Sequence, residues 1–246
     1  MDDVLIFAAV GFVAQLVDGT LGMAYGITGT AVMLSLGTTP AVASASVHAA
    51  EVVTTGVSGL AHWHFGNVDR ALLRDLVIPG MIGGVIGAYL LASVPGETVR
   101  PFVNAYLLAV GGLILLKALS RGGPSRRLPR RLPLLGLSGG LLDALGGGGW
   151  GAIVTSTLVG NGAAPRYAIG STNVAEFFVT AAVSATFVFT IGLTLWPTIV
   201  GLILGGALAA PLGAYAAKRM PPGPLMILVA VAVIVLSLRG LAQALA

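Results

Sequence analysis

A chain of 246 residues that is 56% hydrophobic and 9% charged, with a mean hydropathy of +0.96, is not built for water; soluble domains carry about 25% charged residues. The net charge of +4 does not point to nucleic acid. Six of the 13 basic residues (Lys117, Arg121, Arg126, Arg127, Arg130 and Arg131) crowd one short hydrophilic stretch that has no aromatic interleaving. Cysteine is absent, which excludes disulfides, thiolate metal sites and thiol catalysis.

The chain starts Met1-Asp2-Asp3, acidic where a secretory leader needs positive charge, so no cleavable leader is expected. The first hydrophobic block, 4–36, is too long for one straight span at 1.5 Å per residue. It is interrupted by Asp18-Gly19-Thr20-Leu21-Gly22, which predicts two short helices around a break, either a re-entrant hairpin or two short spans. The second block, 40–65, opens with Thr39-Pro40, and proline suits a first helical turn. Within it Ser44, His48, Glu51, Thr55 and Ser58 alternate at four- and three-residue spacings, one polar stripe on one helix face. His62-Trp63-His64 closes it and predicts a membrane-interface end. The third block, 71–94, carries Gly80, Gly83, Gly84 and Gly87, a face of small residues for close helix approach. The fourth, 99–118, runs into the basic linker, which the positive-inside rule places in the cytoplasm, with anionic lipid a further partner.

Beyond the linker the pattern returns. Residues 136–180, shifted back by 125, fall on 11–55 without a gap, pairing Asp18 with Asp143, Pro40 with Pro165, Ser46 with Ser171, Glu51 with Glu176 and Thr55 with Thr180. The second half opens with 134–161, interrupted by Asp143-Ala144-Leu145-Gly146-Gly147-Gly148-Gly149, and continues with 165–190, 198–217 and 223–240. Gly201, Gly205, Ala209 and Gly213 repeat the small-residue face. The predicted fold is therefore an all-α integral membrane protein of two homologous repeats of about four hydrophobic blocks: 1–118, a basic cytoplasmic linker 119–132, and 133–246. Inverted repeats put eleven of the 13 basic residues inside and parallel repeats nine, so charge favours inversion.

A carboxylate inside an apolar block costs about 2.5–3.5 kcal/mol on insertion scales and is usually aimed at a cavity. Asp18 and Asp143 either cap the short helix after each break or take part in proton or substrate handling, and the two roles can coexist. The glycines beside them (Gly19, Gly22, Gly146, Gly147 and Gly148) expose backbone amides that can hold an anion where a helix restarts. Glu51 and Glu176 are candidate proton carriers, although they could equally serve as interhelical hydrogen-bonding groups. His48, replaced by Asn173 in the other half, either tunes Glu51 or makes an ordinary interhelical bond. Ser46, Ser171 and Asn173 are candidate oxyanion donors, and Arg166 beside Pro165 is a topology determinant or an anion attractor. No phosphate loop, HExxH or Ser/His/Asp pattern occurs, so no enzyme, cofactor or metal site is expected.

The duplicated opening Val17-Asp18-Gly19-Thr20-Leu21-Gly22-Met23-Ala24-Tyr25-Gly26, the segment Gly139-Gly140-Leu141-Leu142-Asp143 to Gly151, the Pro40 and Pro165 helix starts, Gly170-Ser171-Thr172-Asn173 and the basic linker resemble the sulfite exporter TauE/SafE family. The resemblance, also to the 4-toluene sulfonate uptake permease family by its other name, covers essentially the whole chain. It implies proton-coupled transport of sulfur-containing or organic anions (sulfite, sulfoacetate or sulfonates) across a bacterial cytoplasmic membrane. The partners are then a small anionic solute, protons and lipid, with a homodimer an open option. A passive anion channel and a non-transporting scaffold or receptor are the alternatives.

Overall fold

The computed structural model describes residues 2–119, 131–216 and 223–245; Arg121, Arg126, Arg127, Arg130, Lys218, Arg219 and Pro221 lie outside them. Among the described residues every regular element is a helix. In order these are α1 (Asp2–Leu21), α2 (Tyr25–Ser35), α3 (Pro40–His64), α4 (Arg70–Ser93), α5 (Gly96–Leu119), α6 (Leu132–Gly146), a wide π-turn (Gly151–Thr155) continuing into α7 (Ser156–Gly160), α8 (Pro165–Thr190), α9 (Trp196–Ala216) and α10 (Gly223–Leu245).

Local chemistry sets these ends. Thr39 and Ala164 are extended and pass the chain to Pro40 and Pro165 at the first helical position, where a missing N–H costs nothing. Asp69 caps α4 by accepting from the amides of Ala71 (2.8 Å) and Leu72 (3.4 Å). Gly66 (φ 65°) ends α3 in the left-handed conformation, with the Asn67 amide donating back to the His62 carbonyl.

Among the described residues, five helices are long and apolar enough to cross a membrane: Asp3–Leu21, Arg70–Ser93, Gly96–Leu119, Pro165–Thr190 and Trp196–Tyr215. The outer surface is correspondingly greasy, with Phe189, Leu60 and Phe102 exposed by 88%, 74% and 72%. Such a surface in quantity belongs against lipid. The chain is a multi-pass membrane protein.

The interior is reciprocal. Helix α1 packs alongside α9 and α4 alongside α6, each pair running in the same direction. A methyl group on Gly11 would sit 2.6 Å from the Leu202 carbonyl; on Gly136 it would sit 2.8 Å from the Leu76 carbonyl. Near the other end of each pair, Gly213 closes on Gly19 and Gly87 on Leu141 and Ala144. These are the small-residue faces read from the sequence, and they bring backbones into contact. Between the two pairs, α3 and α8 pack on each other at the centre. Their polar stripes are inside: Ser44, His48, Glu51, Thr55 and Ser58 on α3, and Asn173, Glu176 and Thr180 on α8, are all buried. The Ser58 hydroxyl donates to Asn173 Oδ1 at 2.7 Å and ties one stripe to the other.

One expectation is sharpened. The breaks occupy the far ends of the segments Asp18–Gly22 and Asp143–Gly149, starting at Gly22 and Gly147: α1 continues through Asp18 to Leu21, and α6 through Asp143 to Gly146. The carboxylates therefore sit on the last turns of helices, because nothing before Gly22 and Gly147 forces the backbone out of the α region. At the end of α3, His62 is fully buried. Its Nε2 faces the Gly19 carbonyl at 3.2 Å, while Trp63 next to it is 47% exposed under the Arg70 guanidinium.

Candidate functional site

The two breaks meet and interlock. Gly26 abuts Gly148, and 125 residues on, Gly151 abuts Met23. The Thr30 hydroxyl donates to the Gly147 carbonyl, while Thr155 packs on Gly22, the same pair with the halves exchanged. Gly147, Gly148 and Gly149 take φ values of 69°, 136° and 138°. At the position matching Gly149 the first half has Ala24, at φ 123° the sole non-glycine residue with positive φ among those described.

Each aspartate reaches across its break to the amide seven residues on. Asp143 Oδ1 accepts from the Trp150 N–H at 2.8 Å, and the Tyr25 amide is turned on the Asp18 carboxyl. The helix end that follows is thereby tied to the helix before it. Tyr25 and Trp150 are themselves buried anchors: the Tyr25 hydroxyl donates to the Leu202 carbonyl (2.9 Å) and the Trp150 indole to the Thr172 carbonyl (3.2 Å). Neither was singled out from the sequence, although they occupy matching positions of the 125-residue register.

Around this junction Asp18, Glu51, Asp143 and Glu176 are all buried and all within electrostatic range of one another. His48 is the basic side chain seated among them. Its Nδ1 lies 2.8 Å from the Ser44 carbonyl, and the Ser44 hydroxyl is spent on the Ala144 carbonyl at 2.8 Å. A carbonyl accepts only, so Nδ1 carries a proton. Nε2 then faces Asp143 Oδ2 at 3.1 Å and Glu51 Oε2 at 3.9 Å. Two bare lone pairs cannot face each other at 3.1 Å, so a second proton lies between His48 and Asp143, as imidazolium–carboxylate or imidazole–carboxylic acid. Among the described residues Asp18 has no such partner; position 173, which matches His48, holds Asn173, occupied by Ser58 and the Ile169 carbonyl.

Unmet hydrogen-bonding capacity gathers here. Asp18 Oδ2, Glu51 Oε2 and Glu176 Oε2 are buried without a partner among the described residues, as are both amide atoms of Gln15, one turn before Asp18 on α1. Buried groups left so are costly and mark places where a ligand, proton or water belongs. Gln15 was missed in the sequence; the signal was a lone amide in an apolar stretch, three residues from Asp18 and so on its helix face.

The other candidates are engaged elsewhere. The amides of Gly22, Gly147 and Gly148 donate to the carbonyls of Asp18 and Asp143, while Gly19 and Gly146 lie inside helices against α9 and Tyr106. The Ser46 hydroxyl donates to the Val42 carbonyl, and Ser171 clamps Asp69, accepting from its amide at 2.7 Å and facing its carbonyl at 3.2 Å. Arg166 donates to the Gly66 carbonyl at 2.8 Å and stacks on Tyr167.

The model of one protein family, described as Sulfite exporter TauE/SafE, matches residues 7–240. The chain belongs to this family. It is also 40% identical over 251 aligned residues to the probable membrane transporter protein YtnM of Bacillus subtilis (strain 168), covering 98% of this chain and 83% of that one. No solved structure matches. As a TauE/SafE member the chain is a membrane transporter, not an enzyme.

Proposed function

We propose that this TauE/SafE protein is a secondary transporter of small sulfur-containing or organic anions, sulfite among them, in which anion movement is coupled to protons. The observation that carries this reading is the cluster of Asp18, Glu51, Asp143 and Glu176 around His48, buried where the two breaks interlock. Two unit charges 4 Å apart at an effective dielectric of about 20 repel by about 4 kcal/mol. An anion therefore cannot share this junction with several ionised carboxylates. It can enter with protons, and protonated carboxyls then act as donors beside the Gln15 amide. With the amides of Gly22, Gly147 and Gly148 already used, these side chains replace the glycine backbone as the proposed anion ligands.

The proposal includes inverted repeats. Arg100 donates to the carbonyls of Gly37 (3.0 Å) and Thr38 (3.1 Å), which puts the end of α2 and the start of α5 on one face. Arg166 on Gly66 and Ser171 on Asp69 put the starts of α4 and α8 on the other. Since α6 runs alongside α4, α6 and α7 leave and regain this second face, and α1 and α2 the first. Two hairpins entering from opposite sides is the arrangement that supports alternating access, by movement of one repeat against the other. The linker between α5 and α6 then lies on the Arg70 face, which positive charge assigns to the cytoplasm.

Purified protein in proteoliposomes with an imposed pH gradient tests the coupling. Sulfite should be driven against its own gradient, and Glu51→Gln and Glu176→Gln should each cut proton-driven flux at least tenfold while leaving folded protein in the membrane. Flux that ignores the pH gradient makes the protein a passive channel, and no flux of any anion makes it a scaffold or receptor.

A further inference from the structure

Away from the central junction, a cleft of about 420 Å³ opens between the last two turns of α5 and the π-turn and α7. Leu113, Ile114, Ala152 and Ile153 make its walls apolar, and Lys117, Ser156 and Thr157 supply its polar atoms. The Lys117 ammonium nitrogen is shut away from solvent and has no hydrogen-bond partner among the described residues. An ammonium has three N–H donors and no acceptor. Left unmet in an apolar wall such a group is costly, and an enclosed cation is ordinarily paired.

The hydroxyls beside it are unequal. Thr157 gives its proton to the Ile153 carbonyl at 2.6 Å, so it offers nothing to an anion. Ser156 touches only the Met23 sulfur, at 3.9 Å, a weak acceptor it can leave without loss. One buried cation and one uncommitted hydroxyl donor in an otherwise apolar cleft have the complementarity of an oxyanion seat. Lys117 lies in the last turn of α5, at the membrane end that leads into the basic linker.

The geometry points to this cleft as a second anion site: Lys117 and Ser156 bind a tetrahedral or pyramidal oxyanion at the linker-side end of α5, apart from the carboxylate junction. The same chemistry is offered by the phosphate of an anionic lipid headgroup and by a dissolved oxyanion. The site holds whether or not the central junction couples protons, since it shares no side chain with it.

The test uses the full chain in two arms. In nanodiscs, thermal unfolding is compared between phosphatidylcholine alone and phosphatidylcholine with phosphatidylglycerol; in phosphatidylcholine nanodiscs, inorganic sulfate is titrated. Wild type and Lys117→Arg should be stabilised by one of the two anions. Lys117→Gln should lose that stabilisation, with roughly ten- to hundredfold weaker apparent binding, as fits a charge-assisted bond. Ser156→Ala should weaken it less. Stabilisation confined to phosphatidylglycerol assigns a lipid headgroup, and stabilisation confined to sulfate a dissolved anion. If Lys117→Gln responds to both anions as wild type does, or wild type responds to neither, the site is overturned.

Discussion

His48 and Ala24 hold the asymmetry of the molecule in single residues. The imidazole is bound at both nitrogens, by the Ser44 carbonyl and by Asp143, so one aspartate of the matched pair shares a proton with a base and the other does not. Two carboxylates in equal sequence contexts thus rest in unequal states. Ala24 is strained where its counterpart Gly149 is at ease: φ 123° is a region that a side chain pays for, at about 1–3 kcal/mol. Ala24→Gly relieves this at an entropic loss of about 0.5–1 kcal/mol. The apparent melting temperature in detergent should rise by a few degrees, and a fall would mean that the buried methyl contributes more than its backbone costs.

At the scale of elements, the breaks are packing devices. The glycine tips are filled by protein: Gly148 rests on Gly26, Gly147 on Thr30 and Gly146 on Tyr106, whose hydroxyl reaches the Gly148 carbonyl at 3.1 Å. Gly148→Val therefore has to fail as a fold. A side chain at φ 136° pressed against the Gly26 backbone should leave little monodisperse protein after detergent extraction. Well-folded variant with selectively weakened anion binding would return the glycine amides to the proposed site. The stripes on α3 and α8 were legible beforehand because an alternating three- and four-residue spacing is a property of one helix. That the two facing stripes are tied through Ser58 and Asn173 was not, since no local spacing names the side chain opposite.

For the whole molecule, the proposed inverted arrangement makes a clean prediction. The chain has no cysteine, so an introduced one reports alone. With a membrane-impermeant maleimide, Thr98→Cys, near the start of α5, should label in intact cells, whereas Arg74→Cys, at an 80% exposed side chain on α4, should label only once the membrane is permeabilised. Arg166→Cys should follow Arg74→Cys. Labelling of Arg166→Cys in intact cells, alongside Thr98→Cys, would rule the inversion out.

The sequence by itself determined that the protein lives in lipid, that its helices restart at Pro40 and Pro165, and that carboxylates recur at Asp18, Glu51, Asp143 and Glu176 in a 125-residue register. All of these follow from composition, backbone chemistry and short-range periodicity, which each segment carries within itself. Only the tertiary structure decided that His48 pairs with Asp143, that His62 is buried beneath Gly19, that Gln15 is left without a hydrogen-bond partner among the described residues, and that the glycine amides are spent on their own helices. The partner of a buried polar atom is chosen by whichever helix packs against it. That is settled by contacts between residues a hundred positions apart, where the cost of leaving a group unpaired is balanced across the whole bundle.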